Sequence, residues 1–161
     1  MLRLTPVQAA DRTLLWNIQQ KYLHEMTQFY DDPMDAEGNY HYGHFEEYFT
    51  DPLRRALLIW TGDRLAGFAM VIPYSNIGRP VDHVMAEFTI FPAFRRRGLA
   101  REAARRILAD NPGRWEIKYN EKNTPAKALW EGVAAPYHPQ TYAFSADETI
   151  LLFSTGKTER G

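Results

Sequence analysis

The chain of 161 residues contains no cysteine. A small secreted domain usually leans on disulfides, so a reducing cytoplasm is the expected setting. Charge of one sign is also lacking: 19 Lys and Arg against 20 Asp and Glu leave a net charge of −1. That balance argues against nucleic acid or an anionic membrane as a partner held by bulk charge. No apolar run approaches the roughly 20 residues needed to span a bilayer. The opening segment, Met1 to Pro6, has no long apolar core followed by a small-residue cleavage site, so no signal peptide is expected. Internal repeats, low-complexity stretches and linkers are missing too, and residues 1–161 are expected to be one domain. What is present is core material, with 45% hydrophobic and 14% aromatic residues.

Periodicity divides this material into elements. Leu2 to Leu4 reads as a short strand. Between about Ala10 and Phe29, Leu14, Leu15, Ile18, Tyr22, Met26 and Phe29 recur at helical spacing. Asp31 to Gly43 is rich in turn formers, and His44 to Phe49 predicts a short second helix, stopped at Asp51-Pro52. Ala56–Trp60, Arg64–Ile72 and Val81–Phe91 read as strands. Leu99, Ala100, Ala103, Ala104, Ile107 and Leu108 then line one side of a helix. Trp115–Tyr119 is a strand, Ala126 to about Glu131 a short helix with Pro125 at its start, and Gln140–Phe144 and Thr149–Phe153 are two closing strands. Hairpins followed by strand–helix–strand crossovers imply a mixed α/β sheet.

The most informative segment is Phe91 to Ala100, where a strand runs into the basic turn Arg95-Arg96-Arg97 and a helix opens at Gly98-Leu99-Ala100. The first N–H groups of a helix lack internal partners and carry a positive dipole end, which favours phosphate. Small residues at 98 and 100 let a pyrophosphate approach the backbone. The Lys-Ser/Thr of a Walker loop and the three-glycine spacing of a dinucleotide fingerprint are both missing. Alone, the arginine cluster reads equally as a solvated surface. A nucleic-acid patch is a weaker alternative, since no aromatic platform accompanies it.

A second motif lies at the right distance. Arg95-x-x-Gly98-x-Ala100 resembles the acetyl-CoA motif of the GNAT N-acetyltransferase superfamily, and Asn123-x-x-Ala126-x-x-Leu129-Trp130 looks like that family's Asn-x-x-Ala-x-x-Leu-Tyr helix. Glu87-Phe88-Thr89-Ile90, Pro112 to Glu116 and Asn123 to Ala126 are similar to a little-characterised branch of predicted acetyltransferases. The resemblance covers nearly the whole chain. It implies a mixed, mostly antiparallel sheet of about seven strands, splayed between the fourth and fifth, and flanked by about four helices. It also implies acetyl-CoA as co-substrate, with pantetheine lying in the gap as a surrogate strand. Phe88, Thr89 and Ile90 would supply main-chain contacts, and Arg95, Arg96, Arg97, Gly98, Leu99, Ala100 and Arg101 would surround the pyrophosphate. Asn123 and Trp130 would border the cofactor, while Asn123 also suits a helix cap.

The implied reaction is direct attack of an amine on the thioester, in an enzyme that is a monomer or homodimer. A primary amine with a pKa near 10.4 must lose a proton first. Glu87 is the leading base, Glu116 the second candidate and His83 the third. Where the family usually places a tyrosine acid this chain has Trp130, which leaves Tyr137, Tyr119 or solvent to protonate the thiolate, or a reaction that needs no acid. The acceptor, a small molecule or peptide, is expected beside Tyr40, His41, Tyr42 and His44, with Asp31, Asp32, Asp35 and Glu37 adding charge suited to a cation. His41-x-x-His44 lacks supporting ligands, so no metal is expected. The alternative is a CoA-binding sensor or structural domain without chemistry.

Overall fold

A computed structural model describes residues 1–156; the last five residues of the expected 1–161 domain lie outside them. Seven strands form one sheet: β1 (Leu2–Pro6), β2 (Arg55–Thr61), β3 (Arg64–Ile72), β4 (His83–Ile90), β5 (Arg114–Asn120), β6 (Gln140–Ala143) and β7 (Glu148–Ser154). Their spatial order is β1-β2-β3-β4-β5-β7-β6. Every neighbouring pair is antiparallel except β4–β5, which is parallel. Helices α1 (Arg12–Met26), α2 (Leu99–Asp110) and α3 (Thr124–Ala134) cover the sheet.

Strand alternation decides which helix lies on which face. On β3, Phe68 and Met70 point to the side where Leu15 and Ile18 of α1 pack. Ala69 and Val71 point to the other side, against Ala104, Ile107 and Leu108 of α2 and Val133 and Ala134 of α3. Each fully buried aliphatic side chain contributes about 1.5–3 kcal/mol.

The sheet opens in its middle. Parallel pairing between β4 and β5 is confined to His83, Val84 and Met85 against Trp115, Glu116 and Ile117. On its other edge β4 pairs with β3, but the register shifts: Met70 faces Glu87 and Val71 faces Met85. Ala86 therefore has no partner on β3 and forms a bulge, which bends the strand. Beyond it, Glu87 to Ile90 stay with β3 and diverge from β5. This is the splay that the family resemblance implies.

Two expectations about helices are corrected. The segment His44–Phe49 makes only a 3-10 turn, Glu46–Tyr48. Phe45 and Tyr48, three residues apart, are both buried there, a spacing that suits the tighter turn. The described residues thus contain three α-helices rather than about four. Helix α1 also stops short of Phe29, at Met26, where the Thr27 hydroxyl donates to the His24 carbonyl at 2.6 Å.

Gly67 sits where β3 passes closest to β4. A Cβ there would collide with the Thr89 carbonyl oxygen and stand 3.1 Å from Ile90 Cα. Gly67→Ala is expected to displace β4 at Thr89–Ile90 and lower stability by roughly 1–3 kcal/mol, measured by urea unfolding.

Candidate active site

The opening between β4 and β5 is a cleft of about 1070 Å³. Glu87 to Ile90 form one wall and Lys118 to Asn120 the other, with α1, the start of α2 and the start of α3 around them. The Phe91 N–H donates to the Ala66 carbonyl at 2.7 Å. Main-chain groups alternate sides along a strand, so those of Thr89 and Glu87 also turn to β3, while those of Phe88 and Ile90 turn into the cleft. The side chain of Phe88 packs edge-on to Trp130, centroids 5.1 Å apart.

At one end of the cleft the chain leaves β4 through a turn, Pro92–Phe94, and enters α2 with two residues in the left-handed region, Arg96 (φ 66°) and Gly98 (φ 77°). Gly98 is the N-cap of α2, and a glycine meets that conformation without the penalty of a Cβ. Arg96, Gly98, Leu99, Ala100 and Arg101 line the cleft here, with Lys122 and Asn123 opposite. The Asn123 side chain caps α3, accepting from the Ala126 N–H at 3.2 Å. Arg95 is otherwise engaged. Its Nε donates to the Ile90 carbonyl at 2.7 Å, and its two terminal nitrogens grip the Glu25 carboxylate on α1 at 2.7 and 2.8 Å. That fork holds the Glu25 carboxyl below its usual pKa. Arg97 turns away, its guanidinium 5.8 Å from the Phe94 ring and outside the cleft lining.

At the other end Glu87 accepts from the Tyr42 hydroxyl at 3.0 Å, and the Tyr22 hydroxyl also reaches its carboxylate. Burial pushes the Glu87 carboxyl above its usual pKa; the two tyrosine donors and the charge of Lys118 pull it only part of the way back. Tyr22 and Tyr42 are themselves pushed far up, by burial first and by the Glu87 charge second. The Tyr30 hydroxyl donates to Glu148 at 2.9 Å and, through burial and that carboxylate, is pushed up to about 12. Lys118 stands 3.4 Å from the same Glu148. Glu87, Glu148 and Asp32 outnumber Lys118 at this end, whereas Arg96 and Arg101 line the first end, with Lys122 paired to Asp147 at 3.5 Å.

The sequence matches the model of the acetyltransferase (GNAT) family over residues 15–133. The chain belongs to the GNAT acetyltransferase family. No curated protein matches it in sequence. Solved structures share its fold at low identity. An acetyltransferase from Thermus thermophilus superposes with a TM-score of 0.67 at 20% identity, covering 96% of this chain and 97% of that one. A spermidine N-acetyltransferase from Vibrio cholerae, in complex with CoA and spermine, gives 0.65 at 15%, covering 96% and 95%. The ribosomal-protein-S18-alanine N-acetyltransferase from Escherichia coli gives 0.66 at 13%, covering 99% and 97%.

In this GNAT acetyltransferase several expected site residues lie away from the cleft. Glu116 is fully buried at the paired end of β5, where it accepts from Ser75 Oγ (2.5 Å), the Asn76 N–H (2.9 Å) and Asn76 Nδ2 (2.7 Å). Its register partner on β4 is Val84, three residues short of Glu87, or about 10 Å along the strand. It anchors the loop after β3. Tyr137 stacks on Phe153 at the same closed end, centroids 5.7 Å apart. His83, beside Trp115, belongs there too. Tyr40 is buried behind the wall, its hydroxyl 2.7 Å from His24 Nδ1. His44 pairs with Glu47 on the surface at 2.9 Å. Trp130 lines the cleft but is 5% exposed. Of the loop aromatics, His41 and Tyr42 reach the cleft. Among the described residues no cluster of three or more His, Cys, Asp or Glu is placed to hold a metal.

Sequence reasoning missed Tyr22, Tyr30, Lys118 and Glu148. Tyr22 is read from its spacing as part of the apolar face of α1, and its polar tip was the available signal. Because the Tyr42 donor lowers the Glu87 pKa, Tyr42→Phe should move the Glu87 titration midpoint further up, measured by carbon-detected NMR of the labelled carboxyl group.

Proposed function

We propose that this family member moves an acetyl group from acetyl-CoA to an amine nitrogen on a small molecule or peptide, within one domain spanning residues 1–161. The carrying observation is the position of Glu87: a half-buried carboxylate at the lip of the strand gap, between a positive phosphate-suited turn and a negative, tyrosine-rich wall. The pyrophosphate is assigned to the α2 opening, where helix N–H groups, Arg96 and Arg101 converge. The cleft-facing main chain of Phe88 suits pairing with the pantetheine amides, while the Ile90 carbonyl is held by Arg95 Nε and its N–H is left toward the thioester. Arg95 acts differently from its sequence assignment, bracing this turn against α1 instead of meeting phosphate.

An acceptor amine entering from the Tyr42 side meets Glu87, which removes a proton as the nitrogen attacks the thioester carbon. The Ile90 N–H is the oxyanion donor in this reading. Collapse of the tetrahedral intermediate breaks the C–S bond. Tyr119 is a poor acid for the departing thiolate: its hydroxyl donates to Glu131 at 2.7 Å and is pushed up to about 12 by burial and that carboxylate. A thiol of pKa near 8.5 is several units more acidic, so solvent protonates it. Trp130 then serves packing against Phe88.

Two measurements test this. Glu87→Gln should lower kcat about 10²–10⁴-fold with little change in acetyl-CoA affinity. In the wild type, kcat/KM should rise with pH through the Glu87 pKa, which burial places above the usual carboxylate value of 4.5, and the variant should lose that limb. Gly98→Val should fold, at a backbone cost of roughly 1–2 kcal/mol, yet give no heat with acetyl-CoA in calorimetry. Retained affinity in that variant refutes the phosphate placement. Tight binding without turnover of any amine by the wild type would point to the sensor alternative.

A further inference from the structure

Behind the base lies a residue that the reaction above does not use. Tyr48 closes the 3-10 turn Glu46–Tyr48 and is 8% exposed. Its hydroxyl is enclosed and makes no hydrogen bond. A buried donor left unpaired is costly, and a phenylalanine would fill the same space without that cost. Two groups face the hydroxyl: the Tyr42 hydroxyl on one side and the Arg54 guanidinium on the other. The Tyr42 and Tyr48 rings are 6.5 Å apart, and Arg54 Cζ stands 5.7 Å from the Tyr48 ring. Arg54 is itself held from outside, with Glu47 and Asp51 oxygens 3.4 and 3.5 Å from its Nε, which makes no hydrogen bond.

We infer that Arg54, Tyr48 and Tyr42 form a one-way chain of donors ending on Glu87, which makes Tyr48 a positioning residue for the base. The direction follows from chemistry. A guanidinium only donates, an ionised carboxylate only accepts, and each hydroxyl between them does one of each. Small shifts of the Tyr48 and Arg54 side chains then give a single satisfied order, Arg54 to Tyr48 to Tyr42 to Glu87. Such a chain polarises each member in turn, so a cation outside the cleft supports an anion inside it. The inference rests on Glu87 being the general base.

Glu87 has other neighbours. Tyr22 faces it from α1 and Lys118 from β5, both favouring the ionised form, and Tyr30 lies beyond Tyr22. Tyr74, whose hydroxyl donates to Asp51 at 2.8 Å, faces Arg54 from the far side. Loss of Tyr48 therefore weakens the support of Glu87 without abolishing it.

The test compares Tyr48→Phe, Tyr42→Phe, the double variant and Arg54→Met, by NMR titration of the Glu87 carboxyl in the free protein and by the pH profile of acetyl transfer. Tyr48→Phe should lower thermal stability modestly, since it removes the hydroxyl that links Arg54 to Tyr42 and leaves the Arg54 donor without that acceptor. It should leave the KM for the amine unchanged and move the Glu87 midpoint and the acid limb upward by roughly half a pH unit, about threefold in the ionised fraction below the midpoint. Arg54→Met should shift both in the same direction. The double variant should titrate like Tyr42→Phe alone, because Tyr48 acts only through Tyr42. An unmoved Glu87 midpoint in Tyr48→Phe, or a shift that adds fully to that of Tyr42→Phe, overturns the chain while leaving acetyl transfer standing. Full activity in Glu87→Gln overturns both.

Discussion

The structure depends on how far β4 and β5 stay together. Three register pairs, His83 to Met85 with Trp115 to Ile117, join the two halves of the sheet. Beyond them the Ala86 bulge turns β4 aside. A complete ladder would satisfy every main-chain group and leave no room for a ligand. The interruption strands the polar groups of Phe88 and the N–H of Ile90 at an open edge, a state that proteins ordinarily avoid, while Arg95 holds the Ile90 carbonyl. Here it is confined to one side of one strand, because Gly67 lets β3 hold the opposite edge closely.

Opening the sheet also sets the chemistry. Glu87 is the first residue after the bulge, so its carboxylate stands where the strands part, sheltered from water but not sealed from it. Shelter favours its protonated form, and the tyrosine hydroxyls pull part of the way back toward the ionised one. The net upward shift moves its change of protonation closer to neutral pH than that of a solvated carboxylate. The same logic separates it from Glu116, whose three donors fix it within the closed half of the sheet.

Much of this was legible in the sequence. The change of period at Leu99, the Gly98-x-Ala100 opening and the Asn123 cap gave α2, α3 and the turn between β4 and α2, because local spacing determines them. Glu87 and Glu116 looked alike: same residue type, adjacent strands. Only register distinguishes them, and register depends on a bulge that no single residue announces. The brace between Arg95 and Glu25 spans 70 positions and the Tyr30–Glu148 bond spans 118, so neither leaves a local trace. His44–Phe49 misled because apolar residues three apart satisfy a single tight turn as well as a helix.

The division of charge along the cleft has a kinetic consequence. With Glu25 and Arg95 neutralising each other, the remaining charges leave the two ends opposite in sign. A long ligand carrying its phosphates at one end feels a torque as well as an attraction, and it is turned end-on before contact. Such steering reaches only about 8 Å at physiological ionic strength, so added salt slows capture of such a ligand more than it loosens one already seated.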